Sequence, residues 1–177
     1  IFQATAVPAQ GAEVDPFYAM YVSPCTLDGG AKLGAPIRVS PPLSANTCGW
    51  FNPNHPEVVL LGSTLVRPAE QQKSGFQVGT RRYVWMFPAE MDVCSRVVPE
   101  IAAARGVAAP SEEQAVLKPV FSLPNYDAEC SYSPDGRYVL YAHVEDKPTD
   151  LPEGAEHKAD ANIYVWDTRT QTRTMLV

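Results

Sequence analysis

The sequence predicts an all-β fold, and two features of the chain support this prediction. The first is a run of four short strand-type segments in residues 129–177. Two of them flank the tetrapeptide Ser-Pro-Asp-Gly at 133–136, where Pro fixes the first φ of a turn and Gly supplies the positive φ that ends it. This is typical of a hairpin. The third and fourth segments are 162–167 and 172–177. Four antiparallel strands in succession form a meander, which is one blade of a β-propeller.

The second feature is that this pattern repeats. Aligning Pro53 on Pro134 places 51–54 on 132–135, which includes the Ser-Pro-Asp of the turn, and the apolar run 58–61 on 139–142. A further copy without its first strand opens the chain. A unit that recurs in this way buries its faces by stacking on its neighbours.

The repeat divides the chain into three parts. Residues 1–42 are predicted to be strands b, c and d of a partial blade, 43–124 a blade with long insertions, and 125–177 a compact blade. The fold is therefore predicted to be a β-propeller segment of about two full four-stranded blades and one partial blade. Closed propellers have at least about four blades, so we expect a larger propeller or assembly with further copies.

The remaining elements follow from apolar alternation and from turn residues. An Ala-rich stretch at 99–106, with Pro near its start and Gly at its stop, favours one or two helical turns, with a solvated loop as the alternative. The predicted strands of the first two blades are 1–5, 18–22, 37–39, 46–51, 58–61, 91–95 (with Asp92 aligned on Asn162) and 116–123.

The charge and the apolar runs of the chain argue against two classes of function. The net charge is -6 and no basic stripe is present, which argues against a nucleic-acid partner. No apolar run approaches the roughly 20 residues of a membrane-spanning helix. We therefore expect neither nucleic-acid binding nor a membrane span in this segment.

Two carboxylates are candidates for a binding site. Asp127 and Glu129 lie two residues apart on a predicted innermost strand, so they are expected to share a face beside the central channel. A ring of such groups could hold a hard cation or a basic peptide. The alternative is that they bond nearby backbone amides. Asn46 and Cys48, at the equivalent positions of the preceding blade, are uncharged and weaken the case for a metal ring.

Catalytic and metal motifs give little support to an enzyme. No two histidines have ligand spacing, and no Cys-x-x-Cys, Gly-x-Ser-x-Gly or glycine-rich phosphate loop occurs. We expect no catalysis, metal site or cofactor in this segment. A bound divalent cation and a hydrolase domain outside the segment are left open.

Cys48 and Cys130 fall on the innermost strands of adjacent blades, offset by one position. Their thiols either face one another across an interface or both point away from it. The sequence is compatible with a disulfide in an oxidising compartment and with a pair of free thiols.

Three extended connections, 6–15, 65–89 and 145–160, are predicted to share one rim of the propeller. The third is acidic, and Asp150, Glu153 and Glu156 are its main candidates for binding. Such a rim favours a cationic partner surface or a divalent ion. A disordered, solvating loop is the alternative.

The Ser-Pro-Asp-Gly turn, followed by Asn-Ile-Tyr-Val-Trp-Asp at 162–167, resembles the WD40-like (PD40) repeat of TolB-type β-propellers. Segments 46–53, 62–64, 83–85 and 126–129 are similar to a periplasmic bacterial subgroup of these proteins. The resemblance spans nearly the whole chain, in order. It fails in two places, which are His55-Pro56, where a Gly would complete the turn, and 97–114. True WD40 repeats share Trp166-Asp167, but the Gly-His pair expected of them is missing.

The resemblance implies a non-catalytic module, periplasmic or secreted, that mediates protein or glycan interaction in the bacterial cell envelope. One alternative is the propeller domain of a larger hydrolase such as a peptidase. Another is a metal-dependent enzyme that uses the channel carboxylates. Fold alone does not choose among these.

Overall fold

The computed structural model describes residues 1–5, 8, 10–11, 14–69, 75–77, 79, 81–84, 87–145 and 160–177. The protein is all-β, with three larger antiparallel sheets and two short hairpins. The elements, in chain order, are β1 (Phe2–Thr5), β2 (Tyr18–Val22), β3 (Cys25–Thr26), β4 (Lys32–Leu33), β5 (Ile37–Arg38), β6 (Asn46–Phe51), β7 (Val58–Ser63), β8 (Gly75–Gln77), β9 (Arg82–Val84), β10 (Asp92–Val97), α1 (Pro99–Ala104), α2 (Glu112–Ala115), β11 (Lys118–Pro119), β12 (Tyr126–Tyr132), β13 (Tyr138–Glu145), β14 (Asp160–Asp167) and β15 (Thr172–Met175).

The three larger sheets follow the chain. The first sheet has the strand order β1-β2-β5, the second β6-β7-β10-β11, and the third β12-β13-β14-β15. Every neighbouring pair is antiparallel, and the hairpins β3–β4 and β8–β9 lie outside these sheets. The predicted meanders and the three-stranded first unit are therefore present as sheets.

The turn between β12 and β13 forms as its sequence predicts. Gly136 has φ +70°, and its amide donates to the Ser133 carbonyl at 2.8 Å. The Asp135 carboxylate accepts a hydrogen bond from the Arg137 amide at 3.1 Å. Local chemistry is sufficient to reverse the chain here.

The helical interpretation of 99–106 is also correct, since α1 begins at Pro99. The short helix α2 was not predicted, although its signal is in the sequence: Ser111 Oγ accepts from the Gln114 amide at 3.3 Å, and Gln114 Oε1 accepts from the Ser111 amide at 3.0 Å. This reciprocal pair is a capping box. α2 ends just before the strand predicted at 116–123, and only β11 forms within that segment.

The strand pairing corrects the repeat alignment by one residue. Asn46 pairs with Ser63 in the second sheet, and Asp127 pairs with His143 in the third. The run 58–61 therefore corresponds to 138–141 and not to 139–142. The reason is that the turn before β7 contains one residue more than the Ser-Pro-Asp-Gly turn before β13.

The core lies between the stacked sheets. On β7, Val59 and Leu61 pack in a cluster with Met20 and Val22 of the first sheet. Leu60, between them in sequence, packs in a cluster with residues of the third sheet. All three β7 side chains have no exposed surface. The continuous apolar run thus marks a strand buried on both faces, as predicted.

Two glycines allow the sheets to approach closely. A Cβ at Gly49 would lie 2.5 Å from Ile1 Cδ1 and 2.7 Å from Met20 Cε of the first sheet. A Cβ at Gly62 would lie 3.0 Å from Ala128 Cβ of the third sheet. At Gly49 the nearest atoms are the ends of flexible side chains, which can shift, whereas Ala128 Cβ near Gly62 can move only with its backbone.

Candidate functional site

Strands β6 and β12 are each interrupted by a β-bulge at the same place in the repeat. The pairing register shifts between Thr47 and Trp50 in β6 and between Ala128 and Ser131 in β12. Cys48 and Glu129 occupy equivalent positions in the two bulges, with φ of 46° and 54°. A left-handed backbone at a residue with a side chain costs on the order of 1–3 kcal/mol, so surrounding contacts must hold it.

The bulge separates the two carboxylates that were expected to share a face. Asp127 has no exposed surface, whereas Glu129 is exposed. Asp127 contacts His143, and Glu129 contacts Thr47, Cys48 and Tyr126. The shared-face prediction is therefore wrong, because strand alternation holds only where the strand is uninterrupted.

Glu129 accepts hydrogen bonds from two strands. Its Oε1 lies 2.9 Å from the Tyr126 hydroxyl and 3.2 Å from the Thr47 hydroxyl. Its Oε2 lies 2.6 Å from Cys48 Sγ. The two bulge residues thus meet directly, and the carboxylate links β6 to β12.

The donors around this carboxylate stay protonated. Burial, and then the hydrogen bond to Glu129, raise the pKa of Cys48 to about 11. Burial, with the nearby charge of Glu129, also raises the pKa of Tyr126. Because a thiolate is the nucleophilic form of cysteine, Cys48 serves here as a hydrogen-bond donor.

An exposed aromatic side chain accompanies the bulges. Trp50 follows Cys48 by two residues on β6 and is 49% exposed. We call Thr47, Cys48, Trp50 and Glu129 the bulge patch. The sequence singled out Glu129 and Cys48 but gave no reason to combine them with Trp50. Gly49 lies within the bulge of β6 and is the signal that could have located it, since an isolated glycine in a strand suggests a bulge.

A buried polar pair lies beside the bulge in each sheet. In the second sheet the Ser63 hydroxyl donates to Asn46 Oδ1 at 2.8 Å. In the third sheet His143 Nδ1 and Asp127 Oδ1 are 2.8 Å apart. On the next strand of each sheet, the register places Asp92 opposite Ser63 and Asn162 opposite His143. The predicted alignment of Asp92 on Asn162 is confirmed by this register.

The electrostatics of Asp127 follow from its burial. Desolvation raises the pKa of Asp127, against the hydrogen bond and charge of His143. The pKa of Asp92 is also raised, first by burial, and the charge of Asp127 adds to the effect. Asp127 Oδ2 is buried without a hydrogen-bond partner among the described residues. The pair is therefore sealed from solvent, and its geometry is that of a structural contact.

The structure also bears on the metal and disulfide alternatives. Within the described ranges, no three His, Cys, Asp or Glu side chains are grouped so that they could hold a metal ion. All four cysteines are free thiols, so the disulfide considered for Cys48 and Cys130 is not present. Cys48 donates to Glu129, and Cys130 is buried among apolar side chains of the second and third sheets.

The acidic-loop candidates Asp150, Glu153 and Glu156 lie outside the described residues. So does most of the connection that carries them, and part of each of the other two connections assigned to the same rim. The predicted acidic rim stays a prediction.

A groove of about 420 Å³ that the sequence did not predict lies where the first sheet, the second sheet and α1 meet. Its volume is within the range of small-ligand pockets. Three distant segments form it, so no local pattern could reveal it. Apolar side chains dominate its lining, among them Val22, Ile37, Phe51, Pro56, Ile101 and Ala104.

Comparison of the chain with known protein families, with curated proteins and with solved structures finds no match. Among the described residues, no helix has the length and apolar character needed to cross a membrane. The fold and the site therefore define a class: an all-β protein of stacked antiparallel sheets, with a strained, partly exposed patch where the first strands of two sheets meet.

Proposed function

We propose that the chain is a non-catalytic β-propeller module of the TolB-like type. It binds the cationic surface of a protein partner in the bacterial cell envelope. The repeated meander supports the propeller, because the second and third sheets share strand order, bulge and polar pair. The Ser-Pro-Asp-Gly and Asn-Ile-Tyr-Val-Trp-Asp motifs support the TolB-like assignment. Envelope localisation rests on that resemblance.

The observation that carries the binding proposal is the bulge patch. Cys48 and Glu129 keep strained backbones while an indole and a carboxylate stay accessible beside them. Strain that the fold maintains at an exposed site supports a functional role. Trp is also among the residues that contribute most to binding at protein interfaces.

The chemistry of the patch favours a Lys or Arg side chain. Three donors fix the Glu129 carboxylate, so it offers a charge in a defined position with little ordering cost. An indole face attracts a cation by roughly 0.5–2 kcal/mol. The net charge of -6 adds long-range attraction for a basic partner. Cys48 and Tyr126, both protonated, contribute hydrogen bonds and no nucleophile.

Isothermal titration calorimetry with a Lys- and Arg-rich peptide tests this proposal. Trp50→Ala is expected to weaken binding about tenfold or more, which corresponds to about 1.4 kcal/mol. Glu129→Gln is expected to weaken binding and to reduce its salt dependence, because one ionic contact is lost. Glu113→Gln removes an exposed carboxylate outside the patch and is the matched control.

Equal binding by wild type, Trp50→Ala and Glu129→Gln would exclude the bulge patch as the binding surface. A neutral oligosaccharide is the second probe, since Trp50 could also stack on a sugar ring. Salt-independent binding of the sugar, with none of the peptide, would replace the cationic partner with a glycan.

A further inference from the structure

The outer face of the third sheet is the counterpart of a face that is buried elsewhere in the molecule. By strand register, Leu140 and Ile163 of the third sheet correspond to Leu60 and Val93 of the second. Leu60 and Val93 have no exposed surface and belong to the cluster shared with the third sheet. Leu140 is 41% exposed and Ile163 is 38% exposed. The same apolar positions are thus covered in one sheet and uncovered in the next.

The outer face of the first sheet has the complementary character. Phe2 and Tyr21 pair across β1 and β2 and stack with ring centroids 5.7 Å apart. Tyr141 and Tyr164 pair across β13 and β14 and stack at 5.8 Å. Tyr141 is buried and contacts Phe121, which follows β11 of the second sheet, at 4.8 Å. Phe2, in contrast, is 37% exposed.

Within the chain, the second sheet packs on the third by joining these two kinds of face. The Leu60 side of one sheet meets the Tyr141 side of the next. Among the described residues, one face of each kind is therefore uncovered, the Leu140 face on the third sheet and the Phe2 face on the first. A second copy supplies the complement of both.

We propose that two copies of this chain associate head to tail, with the Leu140 face of one copy packed on the Phe2 face of the other. The contact repeats the packing already present between the second and third sheets. It is heterologous, so it either closes a ring or extends. An open depression of about 450 Å³ on the third sheet, lined in part by Tyr138, Leu140 and Val165, provides room for an aromatic side chain such as Phe2. The proposal does not depend on the bulge patch.

Light scattering after size-exclusion chromatography, over a wide concentration range, tests this proposal by a complementation design. Leu140→Lys damages one face and Phe2→Lys damages the other. Because both side chains are partly exposed, both variants should keep the wild-type circular dichroism spectrum. Wild type is expected to associate, and each variant alone should be at least tenfold weaker. An equimolar mixture of the two variants should recover a dimer, since one intact face of each kind remains.

Leu27→Lys, at a 77% exposed position between β3 and β4, is the matched control and should associate like wild type. A wild type that stays monomeric at every concentration would overturn the proposal. So would a Phe2→Lys variant that associates normally while Leu140→Lys does not, since that pattern requires two Leu140 faces to meet. Failure of the mixture to recover a dimer would overturn it as well.

Discussion

The second and third sheets are two copies of one meander built with different side chains. Both have the same strand order, and both carry a bulge at the same position of the first strand. The buried pair beside the bulge is Asn46 with Ser63 in one and Asp127 with His143 in the other. The comparison teaches that the fold requires hydrogen-bonding partners at this place and accepts either neutral or ionisable ones.

The residue that precedes the second strand of each meander also differs in chemistry between the two sheets. Glu57 precedes β7 and lies 3.4 Å from Arg105, whereas Arg137 precedes β13 and lies 2.6 Å from Asp167. The sign of the charge is reversed at equivalent positions. The partner of Glu57 comes from the end of α1, and the partner of Arg137 comes from β14. The largest difference between the two sheets is on the face that carries Leu60 in the second sheet and Leu140 in the third. This face is covered in the second sheet and uncovered in the third.

The largest predicted effect is a difference in stability between two equivalent leucines, one on the covered face of the second sheet and one on the uncovered face of the third. Leu60→Ala is expected to lower the free energy of unfolding by about 2–5 kcal/mol, because it opens a cavity between two sheets. Leu140→Ala, at the equivalent position, should cost less than about 1 kcal/mol, since its side chain already contacts solvent. Urea unfolding of both variants, at concentrations where the protein is monomeric, measures the difference. Equal costs would mean that the two outward faces are equally covered.

A smaller effect is expected when the buried polar pairs are broken. Asn46→Ala and Asp127→Ala each leave buried polar groups without a partner, which costs about 1–3 kcal/mol. Asn46 also donates to the Tyr18 carbonyl of the first sheet at 3.0 Å, so its loss should loosen the contact between the first two sheets. Hydrogen exchange of β2 amides reports this. Unchanged protection in Asn46→Ala would assign the whole cost to the second sheet.

The two pairs should differ in their response to pH. Burial raises the pKa of Asp127 in the folded state, so its contribution to stability is fully present below the unfolded pKa of about 3.9 and is lost as pH rises through the folded pKa. Asp127→Asn keeps an acceptor for His143 and removes this titration. The variant should therefore gain stability relative to wild type as pH rises above about 4. Thermal unfolding across pH checks this, with Asn46→Ala as the non-titrating reference; a difference independent of pH would contradict it.

The smallest effect concerns the charge pair at the ends of β13 and β14. The hydrogen bond from Arg137 lowers the pKa of Asp167 to about 2. Its stabilising contribution is present above the unfolded pKa of about 3.9 and is lost as pH falls toward 2. Asp167→Asn should therefore lower the melting temperature slightly at neutral pH and not at pH 2. Exposed Asp28→Asn is the control; if it reproduces the same pH dependence, the effect does not come from the Arg137 contact.

Much of the fold could be predicted from the sequence because the information is local. The Ser-Pro-Asp-Gly turn forms from its own side chains and amides. The apolar run in β7 identifies a strand covered on both faces, and Pro99 starts a helix. Repetition of these signals was sufficient to place the strands of three sheets in order.

The candidate site was only partly predictable. Asp127, Glu129 and Cys48 were each identified as candidates, but their grouping was wrong. Strand alternation placed Asp127 beside Glu129, and the bulge instead joined Glu129 to Cys48. Trp50 became relevant only once its exposure was known.

The sequence by itself determined most strands of the three larger sheets, their order and the Ser-Pro-Asp-Gly turn, since neighbouring residues supply the hydrogen bonds and the apolar alternation on which these depend. Tertiary structure decided the bulges, because left-handed backbones at Cys48 and Glu129 persist only through contacts between β6 and β12. It also decided the one-residue offset of the repeat and which apolar faces are covered. These features depend on how one sheet rests on the next, and that packing joins residues far apart in the chain.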